Sequence, residues 1–140
     1  MRVRELEILM TDEQGLLRAI REDPADLTPR LIYADWLDEH GDPARAEFIR
    51  LQCLRSQEGI TAPNEFERRD REEELLRDNR ARWLAELPPL WGITWSEFGH
   101  GFVESVHAYS FRAFQRQAAQ IRSRIPLLGL TLQRVSRIIV

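Results

Sequence analysis

Leu16, Leu17 and Ile20 recur at helical spacing, with Pro24 closing the run. Thr11 and Gln14 stand three residues apart ahead of that stripe, which predicts a first helix entered through a capping box. The next run is apolar over most of its wheel: Leu31, Ile32, Tyr33, Ala34, Trp36 and Leu37 point in nearly every direction. Asp35, Asp38 and Glu39 share one narrow arc. Such a helix belongs among neighbours, and this one is expected over 28–40. Thr28 is its expected N-cap, Pro29 its first helical residue and Gly41 its stop. Asp42, Pro43 and Gly59 repeat the same signals around a third helix. That helix carries two stripes, Ala44/Phe48/Leu51/Leu54 and Ala46/Ile49/Cys53, so it is expected between two neighbours. The minimal turn His40-Gly41-Asp42 makes the second and third helices packed partners.

Residues 65–87 carry charge with sparse apolar points at Phe66, Leu75, Leu76, Trp83, Leu84 and Leu87. A surface helix laced by ion pairs within itself is expected, with a break near Asn79-Arg80 and an end at Pro88-Pro89. The pattern then changes period. Two short strands, near 93–98 and 102–108, flank Gly99-His100-Gly101, where His100 is expected to be exposed. Phe111, Phe114, Ala118 and Ile121 follow Ser110 at helical spacing, up to Pro126. Leu128, Leu130 and Leu132 alternate as a strand, Ser136-Arg137 reads as a turn, and Ile138 to Val140 as a last strand. At the other end, Leu6, Ile8 and Met10 alternate as a short strand or begin a helical turn. The sum is an α+β chain: a helical bundle over 11–87 packed on a strand–helix–strand unit over 92–140, with one shared core as an alternative. The last helix is expected to cross between parallel strands.

Composition narrows the function classes. The chain has 140 residues, 43% hydrophobic and 31% charged, which fits a globular domain. No apolar run approaches a membrane span and the N-terminus lacks a signal-peptide core, so a cytoplasmic location without membrane contact is expected. Net charge is −3, which gives no global pull toward nucleic acid. Every basic residue is Arg, a bias that codon usage in a GC-rich genome explains. Cys53 is the single cysteine and falls on a core stripe, so it reads as an inert buried thiol. His100 and His107 form no ligand spacing, and no metal or cofactor is expected.

Three groups of residues invite a chemical reading. Asp35, Asp38 and His40 suggest a small hydrolase, but His40 lies about 140° from the carboxylate side at 100° per residue. The structural reading ranks ahead: Asp35 pairs with Arg45 or Arg50, while Asp38 and Glu39 face solvent. Arg68, Arg69, Arg71, Arg77, Arg80 and Arg82 suggest a nucleic-acid-associated accessory subunit, but Glu and Asp interleave with them. Trp91 and Trp95, read as an apolar plug between the two units, together with Leu130, Leu132, Val135, Ile138, Ile139 and Val140, suggest an interface with another chain or a second copy. That third reading leads: a non-catalytic protein–protein interaction module, an adaptor or an accessory subunit.

A family resemblance points the same way. "LLRAIREDPAD", "RLIYADWLDEHGD", "RAEFIRLQ", Trp83-Leu84 and "GFVESV", together spanning roughly 10 to 135, resemble the bacterial repeat-companion domain. That domain occurs as a large paralogous set, often just ahead of leucine-rich repeats. The resemblance implies a companion module with no catalytic set to transfer. It also implies that "IPLLGLTLQRV" is similar to the opening of a leucine-rich-repeat array, whose units stack to bury their faces.

Overall fold

The computed structural model describes residues 12–133. Four helices come first: α1 Glu13–Glu22, α2 Thr28–Glu39, α3 Pro43–Glu58 and α4 Glu65–Leu84. The strands β1 Ile93–Trp95, β2 Phe98–Gly99, β3 Phe102–Val103 and β4 Ser105–Ala108 follow, then α5 Phe111–Arg122 and β5 Gly129–Leu132. The chain is α+β with its helices mainly N-terminal. The expected strands beyond 133, the alternation at Leu6 to Met10 and the Thr11 cap lie outside the described residues.

Local signals set the helix ends. Asp12 caps α1 by accepting from the Gly15 N–H at 3.4 Å. Asp42 caps α3 by accepting from the Arg45 N–H at 3.3 Å, with Pro43 as the first helical residue. Ser110 caps α5 through the Ala113 N–H. The expected Thr28 cap is displaced. Asp26 Oδ1 accepts from the Thr28 N–H at 3.0 Å, so the turn closes one residue earlier and Pro29 becomes the second helical residue. The expected break at Asn79-Arg80 is absent, and α4 runs unbroken to Leu84. Asn79 stays in the helix because its side-chain amide bonds the Leu75 carbonyl at 2.8 Å and its oxygen accepts from Arg82.

The two stripes of α3 face two different cores. Ala46, Ile49 and Cys53 pack with Leu16 and Ile20 of α1 and Tyr33, Ala34 and Leu37 of α2. Phe48 packs with Leu75 and Trp83 of α4. β1 and β4 pair antiparallel, with Ile93 opposite Ala108 and Trp95 opposite Val106. β2 and β3 continue that hairpin past a break, tipped by His100 and Gly101. β4 and β5 pair in parallel, Val106 opposite Leu130, and α5 makes the crossover. Val106 and Ala108 point inward while His107 faces out. A third core gathers Val103, Val106, Ile121 and Ile125 under this sheet.

The hairpin tip joins bundle and sheet. Phe102 is buried in the α1–α3 core, and Phe98 meets Phe48 edge-on at 5.5 Å and Trp83 at 6.0 Å. The expected plug of Trp91 and Trp95 is therefore displaced by Trp83, Phe98 and Phe102. Trp91 is 70% exposed, while Trp95 is half-buried over the sheet core and donates to the Pro88 carbonyl. Gly101 permits the close approach: at φ +85°, a Cβ there would sit 2.4 Å from Ile49 Cγ1. No described helix is long and apolar enough to cross a membrane.

Candidate functional site

The carboxylates of the α2–α3 joint converge on an arginine rather than on the histidine. Arg50 donates to Asp35 at 2.6 Å and meets Asp38 at 2.6 Å, and these bonds raise the Arg50 pKa. Asp38 is therefore paired rather than free in solvent. His40 stacks flat on Trp36, centroids 3.9 Å apart, and its Nδ1–H donates to the Trp36 carbonyl at 2.7 Å. That bond fixes the ring along the end of α2, away from Asp35 and Asp38 as an acid/base pair. Asp35, Asp38 and His40 each have a partner within the joint.

Arg45, the other expected partner of Asp35, is elsewhere. It is 9% exposed, and its Nη2 donates to the Gly101 carbonyl at 2.9 Å. Its guanidinium lies over three rings: Trp83 at 5.0 Å, Phe102 at 5.2 Å and Phe98 at 5.6 Å. Burial lowers its pKa, the nearby acids Glu86 and Asp42 working against that. No carboxylate lies within 4 Å of its guanidinium among the described residues.

The arginines of α4 are mostly engaged by acids. Arg68 pairs with Glu58, Arg71 with Glu47 and Glu74, Arg80 with Glu97 and Arg82 with Asp42. Arg77 lies 3.9 Å from Asp78, and Arg69 is exposed. Most of these pairs reach α3 or the loops rather than one turn along α4, contrary to the expectation of a self-paired helix. The reason is that α4 lies against α3, whose Glu47 and Glu58 face it. A phosphate backbone would have to displace these carboxylates one by one, which weakens the nucleic-acid reading.

The composition gave no hint of a polar network that runs from Arg30 to Ser56. Arg30 of α2 is fully buried and donates to Glu104 at 2.6 Å, Pro24 O at 2.7 Å, Gly99 O at 3.2 Å and His100 O at 3.3 Å. Glu104 accepts from His100 Nδ1 at 3.0 Å, and His100 Nε2 meets Ser56 Oγ at 2.9 Å. With Nδ1–H given to the carboxylate, Nε2 is left to accept from the Ser56 hydroxyl. His100 holds φ +50°, a conformation uncommon outside glycine. It is half-buried, not the exposed turn residue its flanking glycines suggest.

Hydroxyl, imidazole and carboxylate in this order form the skeleton of an acyl-transfer nucleophile. The surroundings oppose that chemistry. Ser56 sits in the last turn of α3, whose free carbonyls make a negative end. Glu65 and Glu72 line the same 300 Å³ hollow, and the one arginine there, Arg55, is bound to both. Acyl transfer develops an oxyanion beside the nucleophile, so the field has the wrong sign. The network instead fastens the hairpin tip to α2 and α3. Cys53 lies beneath it, and burial pushes its thiol up to about 11, which suits an inert core residue.

The remaining interface candidates divide. Trp91 meets Tyr109 at 6.3 Å between ring centroids, both exposed. Leu130 is half-buried against the sheet core, and Leu132 is exposed. Val135, Ile138, Ile139 and Val140 lie outside the described residues. No family model, no curated protein and no solved structure matches this chain.

Proposed function

We propose that this chain is a non-catalytic protein–protein interaction module, an adaptor or accessory subunit of a larger assembly. The observation that carries the reading is Trp91, 70% exposed beside Tyr109, 57% exposed. Large aromatic rings leave water most favourably on association, and they dominate interface energetics. Phe111 and Leu132 add exposed apolar area in the same C-terminal unit. β5 pairs with β4 on one side, and no strand pairs its other side among the described residues. A strand edge can take up a further strand. The resemblance to the repeat-companion domain supports the same reading, since a repeat-like strand–helix–strand unit stacks on a neighbour.

The test mixes the full chain with the products of its flanking genes and reads complex mass by size exclusion with light scattering. A complex, or a concentration-dependent homodimer, is expected. Trp91→Ala with Tyr109→Ala should weaken it at least about tenfold, the loss of one modest hot spot, with an unchanged melting curve. A monomer under every condition overturns the proposal, as does a complex indifferent to the double variant.

A further inference from the structure

Arg45 lies on the wall of a cleft, and the cleft is built for more than holding Arg45. It encloses about 370 Å³ between the helical bundle and the end of α5, within the range of small-ligand pockets. Tyr33, Trp83, Phe98 and Phe102 give it an aromatic side. Arg21 and Arg124 stand on its rim.

One observation points to an anion, the unmet polar demand of the wall. The Arg45 side chain makes a single hydrogen bond, from Nη2 to Gly101, and its Nε–H is buried without an acceptor, as is that of Arg30. The Trp83 indole N–H is likewise buried without one. A buried cation without a carboxylate is costly, and the rings over Arg45 offset only part of that. A negative group in the cleft would offset the uncompensated charge of Arg45.

Two of the three acids lining the cleft are engaged. Glu13 accepts from the Tyr33 hydroxyl at 3.1 Å, and Asp42 caps α3 and meets Arg82. Glu86 is exposed and makes no ion pair among the described residues; it is the acid that acts most strongly on Arg45. It competes for the arginine without closing on it.

We propose that this cleft binds a carboxylate carried on a flat apolar body, with Arg45 receiving the carboxylate and the aromatic side receiving the body. Two sources share that chemistry: a small aryl-alkyl acid, and the free C-terminus of a peptide ending in an aromatic residue. The site is separate from the Trp91 surface, so it stands or falls without the interaction-module reading.

The experiment titrates the full chain with 3-phenylpropionate and with an acetylated tripeptide ending in phenylalanine. The corresponding amides are the controls. The readout is the Trp83 indole N–H resonance, assigned with Trp83→Phe, together with calorimetry. At least one acid should bind and move that resonance, and its amide should bind at least tenfold more weakly. The arm that binds more tightly names the source. Arg45→Gln should abolish the preference for acid over amide. Because that variant sits in the core, Glu86→Gln provides a second arm on an exposed residue: it removes the competing charge and should strengthen acid binding severalfold. No binding by either acid, equal binding of acid and amide, or indifference to Glu86→Gln overturns the proposal and leaves Arg45 a clamp on the hairpin tip.

Discussion

Arg30 and Arg45 hold the same loop in opposite ways. Both rise from the buried stripe of a helix, and both donate to carbonyls of the segment Gly99 to Gly101. Arg30 does so with a carboxylate at 2.6 Å and four acceptors in all. Arg45 does so with one carbonyl and three aromatic rings. The difference shows that burial of a guanidinium has no single meaning. Where a carboxylate and carbonyls occupy both terminal nitrogens, as at Arg30, the residue is a structural pin, and its removal strands whatever it satisfied. Where they do not, the protein keeps a desolvated cation in reserve, and a cleft beside that cation becomes informative.

The largest way to break the comparison is Arg30→Met. It strands Glu104 in a largely buried site and removes the donor from three carbonyls. Breaking one side of a buried pair costs about 3–5 kcal/mol. Urea unfolding should show that loss, and Glu104→Gln added to Arg30→Met should recover part of it, because the second change removes the stranded charge. A loss below about 1 kcal/mol would mean that solvent reaches Glu104 and that the pin is ornamental.

Arg45→Met sharpens the contrast. It leaves no carboxylate stranded, keeps the aliphatic stem against the rings and deletes an uncompensated charge. One carbonyl, Gly101, loses its side-chain donor. These terms oppose one another, so the change should stay within about 1.5 kcal/mol of the unsubstituted chain. Equal losses for Arg30→Met and Arg45→Met in the same unfolding series would erase the distinction between pin and reserve.

The sequence made some of this visible. The α2–α3 joint is legible because caps, the proline at the start of α3 and the glycine stop act over three or four residues, and the tight turn they define brings Asp35 and Arg50, fifteen residues apart, face to face. The hairpin is legible from its change of period, and the crossover from Ser110 and Pro126. The hold of Arg30 and Arg45 on the hairpin was not, because their partners there lie 56 to 74 residues away and no local rule joins them. A signal did exist. Arg30 stands at helical spacing ahead of Tyr33, Ala34 and Leu37, and Arg45 stands likewise ahead of Phe48, Ile49 and Gln52. A lone arginine on a core stripe marks a charge that folding must satisfy. The displaced Trp plug has the opposite cause. Hydrophobicity alone ranks Trp91 and Trp83 alike, and only the packing of α4 on α3 decides which is buried.

The smallest effect belongs to the stretch densest in apparent chemistry. Arg50 is 40% exposed, and Asp35 and Asp38 are also open to water, so solvent screens the attraction that raises the Arg50 pKa. Exposed pairs contribute about 0–1 kcal/mol each. Asp35→Asn should therefore shift stability by no more than about 0.5 kcal/mol, against the several expected at Arg30. His40→Ala should also leave any partner binding at the Trp91 surface intact, because His40 is engaged with Trp36 at the end of α2. Calorimetric melts of Asp35→Asn at low and at high salt check the first point: the two variants of the pair, Asp35→Asn and Arg50→Gln, should converge on the unsubstituted chain as salt rises. A loss of several kcal/mol that persists at high salt would place the carboxylates in a desolvated site and reopen the joint as a functional centre.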